Sequence, residues 1–221
     1  MKRSAGSAYW WTPCLIAIIV VQMLTLFCVT QVHRWKHRQT ISQIHKKAMN
    51  NDPPVGFPLE RLGISVASEI SPPSRPILVV VFGSCEGCGE GAVREWASML
   101  SWQTWRKEVT AILVFQERAE KVQEVAKKWG WQVKVVADES GQIARTLNAF
   151  FVPRAYGFVG GKLVWLQREP KRSAMGTLES FLKAVKGEEA ARKVMEAWVH
   201  EMREKAWGKE MAELAKGGRR R

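Results

Sequence analysis

The sequence predicts an α/β protein with a central mixed sheet, an N-terminal transmembrane helix and a C-terminal helical extension. Three observations predict it. The run Ile77-Leu78-Val79-Val80-Val81-Phe82 is apolar throughout and rich in β-branched residues, which marks a strand buried on both faces, as in a parallel sheet. Strand-like and helix-like segments then alternate as far as Ala149, and that alternation builds βαβ units. After Pro153 the pattern changes to two short strand segments joined by Gly160-Gly161, an antiparallel hairpin signal.

Along the chain the expected divisions are a flank at 1–12, a transmembrane anchor at 13–32, a linker at 33–54, the α/β domain at 55–186 and a basic helical extension at 187–221. No charged residue occurs from Tyr9 to Val32, and about 20 apolar residues cross a bilayer as a helix. Trp10 and Trp11 at one end and Trp35 at the other match an interfacial aromatic belt. A cleaved signal peptide needs a shorter apolar region and a small-residue cleavage site. Thr25-Leu26-Phe27-Cys28 fits neither that site nor a lipoprotein processing box, so an uncleaved anchor is predicted.

Two signals conflict over orientation. Lys2 and Arg3 precede the helix, whereas Arg34, Lys36, Arg38, Lys46 and Lys47 follow it with no acid before Asp52. The positive-inside rule read alone places the domain in the cytoplasm. The cysteine chemistry below favours the opposite, periplasm-like side, and that is the placement expected here.

The elements follow in order. Asn50-Asn51-Asp52-Pro53-Pro54 is a stop signal, and 55–70 carries apolar stretches suited to small strands. Ser71 to Pro76 is a turn, followed by the buried strand to Phe82. Cys85 to Leu100 has helical periodicity, with Val93, Trp96, Ala97 and Leu100 on one face. Strands are expected at Val109–Phe115 and Trp131–Val136, and between them a helix from Arg118 to Trp129 closed by Gly130. A short helix spans Asp138 to Ala149, capped by Asp138 or Ser140. The hairpin joins Ala155–Val159 to Leu163–Leu166, and a helix covers Met175 to Val185. In the extension, Ala191, Met195, Trp198, Met202 and Ala206 share one face, which is read as a helix packed on the domain. Four of the eleven tryptophans lie between positions 96 and 129, and core packing accounts for them.

Composition narrows the function classes. Hydrophobic content of 46% and charged content of 25% are those of a globular protein. The net charge of +13 raises nucleic-acid binding. The charge is dispersed, however, between the membrane flanks, the Arg219-Arg220-Arg221 tail and helices where it mixes with acids. No nucleic acid is expected as a partner. Of four cysteines, Cys14 and Cys28 lie in the apolar segment, and Cys85 and Cys88 form the close pair of the soluble part. That is too few for a disulfide-stapled scaffold. A structural zinc site takes four ligands, and no second Cys or His pair stands in the domain. No metal is expected.

Cys85-Glu86-Gly87-Cys88 directly follows the buried strand, where a helix begins. Unpaired N–H groups and the helix dipole favour an anion there, so a thiolate is stabilised. The thiolate is the nucleophile of disulfide exchange. The expected sequence is attack by Cys85 on a substrate disulfide, then resolution of the mixed disulfide by Cys88, one helical turn on. The redox-active Cys85–Cys88 disulfide needs no further cofactor.

Ile77 to Cys88 resembles the active-site strand and C-x-x-C of the thioredoxin-like superfamily, and more closely that of membrane-tethered bacterial thiol–disulfide oxidoreductases of the TlpA/ResA type, with a redoxin-like domain. Phe57-Pro58-Leu59 resembles their opening Pro-x-Phe-x-Leu segment. Asp138 to Ala144 resembles their Asp-x-x-Gly-x-x-Ala helix. Phe151-Val152-Pro153 followed by Gly160 to Val164 resembles their cis-proline and hairpin. The likeness covers about residues 55–186 and implies a thioredoxin-like three-layer α/β/α fold. It implies a cis Pro153 facing the cysteines, with Val152 offering backbone groups to a substrate strand. It also implies protein thiols and disulfides as partners, among them apocytochrome c or a membrane electron donor, as in cytochrome c maturation.

The sequence departs from the family pattern at several positions. Ser84 stands where the family usually has Trp, Gly87 replaces a frequent proline, and Val79 stands where thioredoxin carries a buried acid. Ser84, Glu86 and Gly87 are therefore the positions expected to tune the pair, and an exposed Glu86 carboxylate would oppose ionisation of Cys85. The rival reading is a peroxiredoxin-like peroxidase, whose single thiolate attacks peroxide. Its Pro-x-x-x-Thr-x-x-Cys pattern is missing, because Phe82 stands three before Cys85 and Val81 precedes it. A copper carrier of this fold pairs C-x-x-x-C with a later histidine, which the domain lacks. A redox-inert binding domain would not need Cys85, Cys88 and Pro153 together.

Overall fold

The computed structural model describes residues 11–64, 75–83, 89–170 and 173–217. The chain divides into two compact units, Met1–Asn51 and Asp52–Arg221.

In the first unit, α1 runs without a break from Trp11 to Met49. Within it Leu15–Lys36, with mean hydropathy 2.3, is long and apolar enough to cross a membrane. Its large side chains, Leu15 to Val32, are exposed. The polar stretch expected to be a linker is helical up to Met49, and the turn falls at Asn50. Gln39 to Met49 holds no Pro or Gly, and nothing local stops a helix before the Asn-Asn-Asp-Pro-Pro signal.

The second unit is a three-layer α/β/α domain with the expected central mixed sheet. Its strands are β1 (Ile77–Phe82), β2 (Thr110–Phe115), β3 (Lys134–Ala137), β4 (Arg154–Val159) and β5 (Lys162–Leu166), ordered β3-β2-β1-β4-β5. The β1–β2 and β2–β3 pairs are parallel, and β1–β4 and β4–β5 are antiparallel. Every residue of β1 and β2 is buried, as central strands covered on both faces require.

The period-2 alternation sends β1 side chains to two cores. Leu78, Val80 and Phe82 join a cluster with α2 (Gly89–Ser101), α3 (Gln103–Glu108), α4 (Ala119–Lys128) and α6 (Ala174–Lys186). Ile77, Val79 and Val81 join a second cluster with α5 (Gln142–Thr146) and the short 3-10 helix Leu59–Leu62. The predicted face of α2 is the buried one: Val93, Trp96, Ala97 and Leu100 are all covered.

Four elements differ from expectation. In the 55–70 region the expected small strands shrink to one antiparallel bridge, Pro58 to Lys162, after which the chain makes that 3-10 turn, because Leu59 and Leu62, three apart, are both drawn into the second core. The rest of the region, from 65, lies outside the described residues. β3 begins at Lys134, since Trp131 leaves the ladder and stacks on Phe115 with centroids 5.3 Å apart. The helix expected over 138–149 is only Gln142–Thr146, because Asp138 turns the chain ahead of it and Asn148 takes a left-handed φ of 53° behind it. α3 was not expected as a separate helix.

The β4–β5 turn places Gly160 and Gly161 at φ 56° and 73°, the pair of positive angles that a two-residue hairpin demands. Within β4, Gly157 lies against the ring of Phe181. A Cβ at 157 would fall inside the contact distance that real Cβ atoms keep, so α6 reaches the sheet only because that side chain is missing.

The C-terminal helix α7 (Glu188–Gly217) packs on α3 and α6. Ala191 and Trp198 are buried, and Trp198 meets Trp102 edge-on at 6.5 Å and Trp105 at 6.2 Å. The predicted face is seated only in its first half, for Met202 and Ala206 are exposed.

Candidate functional site

β1 delivers the chain to the site. Arg154 pairs with Val81 across the antiparallel β1–β4 ladder. The residues just before Arg154 therefore stand beside the C-terminal end of β1, and Gly83 leads the chain away from that same edge. Beneath it Phe82 stacks on Phe115, centroids 4.8 Å apart and 10° from parallel, so the edge rests on a packed aromatic floor.

Cys85 and Cys88, with Ser84, Glu86 and Gly87, lie outside the described residues. On either side of them, β1 ends at Phe82 and α2, thirteen residues long, starts at Gly89. Val79 is fully buried in the second core, opposite Tyr156 in the β1–β4 register.

The Val152–Pro153 peptide bond is cis, in agreement with the family resemblance. Val152 is 38% exposed, and its backbone makes no hydrogen bond among the described residues. The loop that carries these two residues is anchored by the next one. Arg154 is fully buried. Its Nε donates to the Gln167 carbonyl at 3.0 Å, one terminal nitrogen to the Asn148 carbonyl at 2.6 Å and to Asp52 Oδ1 at 2.8 Å, and the other to Asp52 Oδ2 at 2.7 Å. The Asn148 side-chain amide donates to the same Asp52 oxygen at 2.7 Å. Phe150, Phe151 and Tyr156 surround the guanidinium at 4.5, 5.0 and 5.4 Å. A planar cation with a rigid donor fork is suited to this two-point grip on a carboxylate.

Tyr156 shares this neighbourhood. Burial pushes its phenol far above the usual value; the Arg154 charge opposes that rise and the Asp52 charge adds to it. The phenol thus stays protonated at working pH and is no proton acceptor. Beside the loop a cleft of about 260 Å³ is lined by Gln116, Ala144, Arg145, Asn148, Ala149 and Phe150. It lies at the same sheet edge, since Gln116 follows β2 directly.

Sequence reasoning singled out Val152 and Pro153 but missed Arg154, Asp52, Asn148 and Gln167. The one available signal was a cation heading the otherwise apolar strand Arg154–Val159, because a buried charge demands a partner. Among the described residues no group of three or more His, Cys, Asp or Glu side chains is placed to hold a metal ion.

No protein-family model and no curated protein matches the chain. Solved structures are similar to it. A secreted disulfide oxidoreductase of Mycobacterium tuberculosis, homologous to E. coli DsbE, is similar with TM-score 0.39 and 13% identity over 55% of this chain and 81% of that one. An uncharacterized thioredoxin-like protein from Porphyromonas gingivalis is similar with TM-score 0.39 and 22% identity over 55% and 74%. The bacterioferritin comigratory protein of Xanthomonas campestris is similar with TM-score 0.40 and 12% identity over 51% and 79%.

Proposed function

We propose that this chain is a membrane-anchored thiol–disulfide oxidoreductase, a protein-disulfide reductase whose redox centre is the pair Cys85 and Cys88. The observation that carries this reading is the exposed Val152, two residues before Arg154, at the sheet edge where β1 ends. Cys85 follows Phe82 by three residues, and three residues span at most about 11 Å. The chain therefore tethers the C-x-x-C segment to the edge where an exposed Val152 presents its backbone. A thiolate nucleophile and an exposed backbone segment to pair with are the two parts a disulfide-bearing polypeptide needs.

The chemistry balances as follows. Cys85 loses its proton, favoured by the N-terminal end of α2 just beyond the pair. Its thiolate attacks one sulfur of the substrate disulfide, forming a mixed disulfide and expelling the other sulfur as a thiolate that takes up a proton. The Cys88 thiolate then attacks the Cys85 sulfur, closing the Cys85–Cys88 disulfide and releasing the second substrate thiol. Two electrons pass to the substrate, and a dithiol donor in or at the membrane returns them. Val152 holds the substrate strand through its amide and carbonyl. Ser84, Glu86 and Gly87 set the acidity of the pair. Protein thiols and disulfides are the partners, with apocytochrome c the substrate that the family resemblance suggests.

In this reading α1 is the anchor and the domain lies outside the cytoplasm, where disulfides form. An impermeant thiol label on a cysteine introduced at Asn51 is expected to react in intact cells. Labelling only after lysis would put the domain inside.

The deciding experiment takes the reduced full chain in detergent micelles and mixes it rapidly with insulin and, separately, with hydrogen peroxide. Much faster oxidation by the protein disulfide is expected. Faster oxidation by peroxide would overturn the reductase assignment in favour of a thiol peroxidase.

A further inference from the structure

We propose that Asp52 is a positioning residue for substrate docking: through Arg154 it fixes the 148–153 loop in the shape that offers Val152 to a polypeptide. This rests on the reductase reading above and extends it to a residue far from the cysteines in sequence.

Both ends of the loop converge on one guanidinium. The Asn148 carbonyl opens the loop and accepts from Arg154 at 2.6 Å, and Arg154 itself closes it. The rings of Phe150 and Phe151 lie against that guanidinium within the loop, their centroids 4.5 and 5.0 Å from its carbon. Val152 is the loop residue that stays exposed. The guanidinium is oriented by Asp52, which grips both terminal nitrogens and also takes the Asn148 amide. Without the carboxylate Arg154 is a buried cation holding only carbonyls, and it must move toward water. The loop ends move with it.

Docking and thiol chemistry should therefore separate. A protein disulfide needs the Val152 backbone at the correct height and angle, whereas a small aromatic disulfide needs only the Cys85 thiolate. A misplacement of about 1 Å costs on the order of a hundredfold in a positioned reaction.

The test uses the full chain in detergent micelles, as wild type and as D52N and D52E. Reduction of insulin and of dithiobis-nitrobenzoate is followed, together with hydrogen exchange of the 148–152 amides. In D52N the KM for insulin is expected to rise roughly tenfold or more. The rate with the small disulfide stays within about twofold, and exchange rises in 148–152 but not in β1 or β2. D52E is expected to recover most of the insulin KM. Unchanged exchange in 148–152, or equal losses on both disulfides, would overturn the assignment. A wild-type chain that reduces neither disulfide would instead sink the reductase reading, while the exchange result would still report on the clamp. If D52N does not fold, N148G removes the amide that Asp52 accepts from and keeps the left-handed backbone. It should raise the insulin KM alone, and an unchanged KM counts against the proposal.

Discussion

Glu201 on α7 caps α3 across a separation of 97 residues: its Oε2 accepts from the Thr104 amide at 3.0 Å and the Thr104 hydroxyl at 2.7 Å, and its Oε1 from the Gln103 amide at 3.1 Å. One carboxylate thereby supplies the hydrogen bonds that the α3 terminus lacks from its own residues, and it fastens the extension to the domain. Burial by itself would raise this carboxyl. The Thr104 hydroxyl and amide, the Gln103 amide and Lys205 outweigh it and bring it from 4.5 down to about 2.

The sign of the pH effect follows. A carboxyl lowered by folding adds stability at pH above its unfolded value, and that stability is lost as pH falls through the folded one. Docking of α7 is therefore expected to weaken between about pH 4.5 and pH 2. Tryptophan fluorescence reports it, since Trp102 and Trp198 meet at that seam. E201Q should flatten the transition, and E201A should cost about 1 kcal/mol, as loss of a helix cap does. An unaltered acid transition in E201Q would assign it to another group.

Asp138 is a second capping carboxylate. It accepts from the Ile143 and Ala144 amides at 3.1 and 2.9 Å, within the second core. D138A is expected to lower stability by about 1–2 kcal/mol in urea unfolding, with D138N losing less. Equal losses for both would mean that the charge, not the acceptor geometry, matters.

The buried ion pair makes an asymmetric prediction. Removing Asp52 alone should cost about 3–5 kcal/mol, since Arg154 is left uncompensated. Replacing both, as in D52L with R154M, should cost clearly less. A double-mutant cycle in denaturant measures the difference, and strict additivity would show that the two residues act independently.

For the cysteines, C85S is expected to abolish insulin reduction, and C88S to accumulate mixed disulfides visible on non-reducing gels. A C85S variant at full activity would mean that the nucleophile has been misassigned.

Legibility of the fold tracked the length of each signal. The buried run Ile77–Phe82 and the Gly160-Gly161 turn were plain because period, burial and turn chemistry agree there. α3 was not, for its six residues place only Trp105 inside, too few to show a period. The 3-10 turn at Leu59–Leu62 and the retreat of β3 to Lys134 were decided by packing partners remote in sequence. The same holds for the site. Val152 and Pro153 could be found from a local pattern, whereas the Arg154–Asp52 pair joins residues 102 apart. Asp52 in isolation reads as part of a loop stop signal.

Gly157 ends as more than a gap in a strand. Its missing side chain and the Phe181 ring occupy one volume between them, so the two positions trade size against each other. A library randomised at 157 alone should return glycine, whereas one randomised at both should also return pairs in which a smaller residue at 181 admits a larger one at 157. The spacing of helix and sheet is thus recorded as a sum over two sites, and neither residue discloses it when read singly.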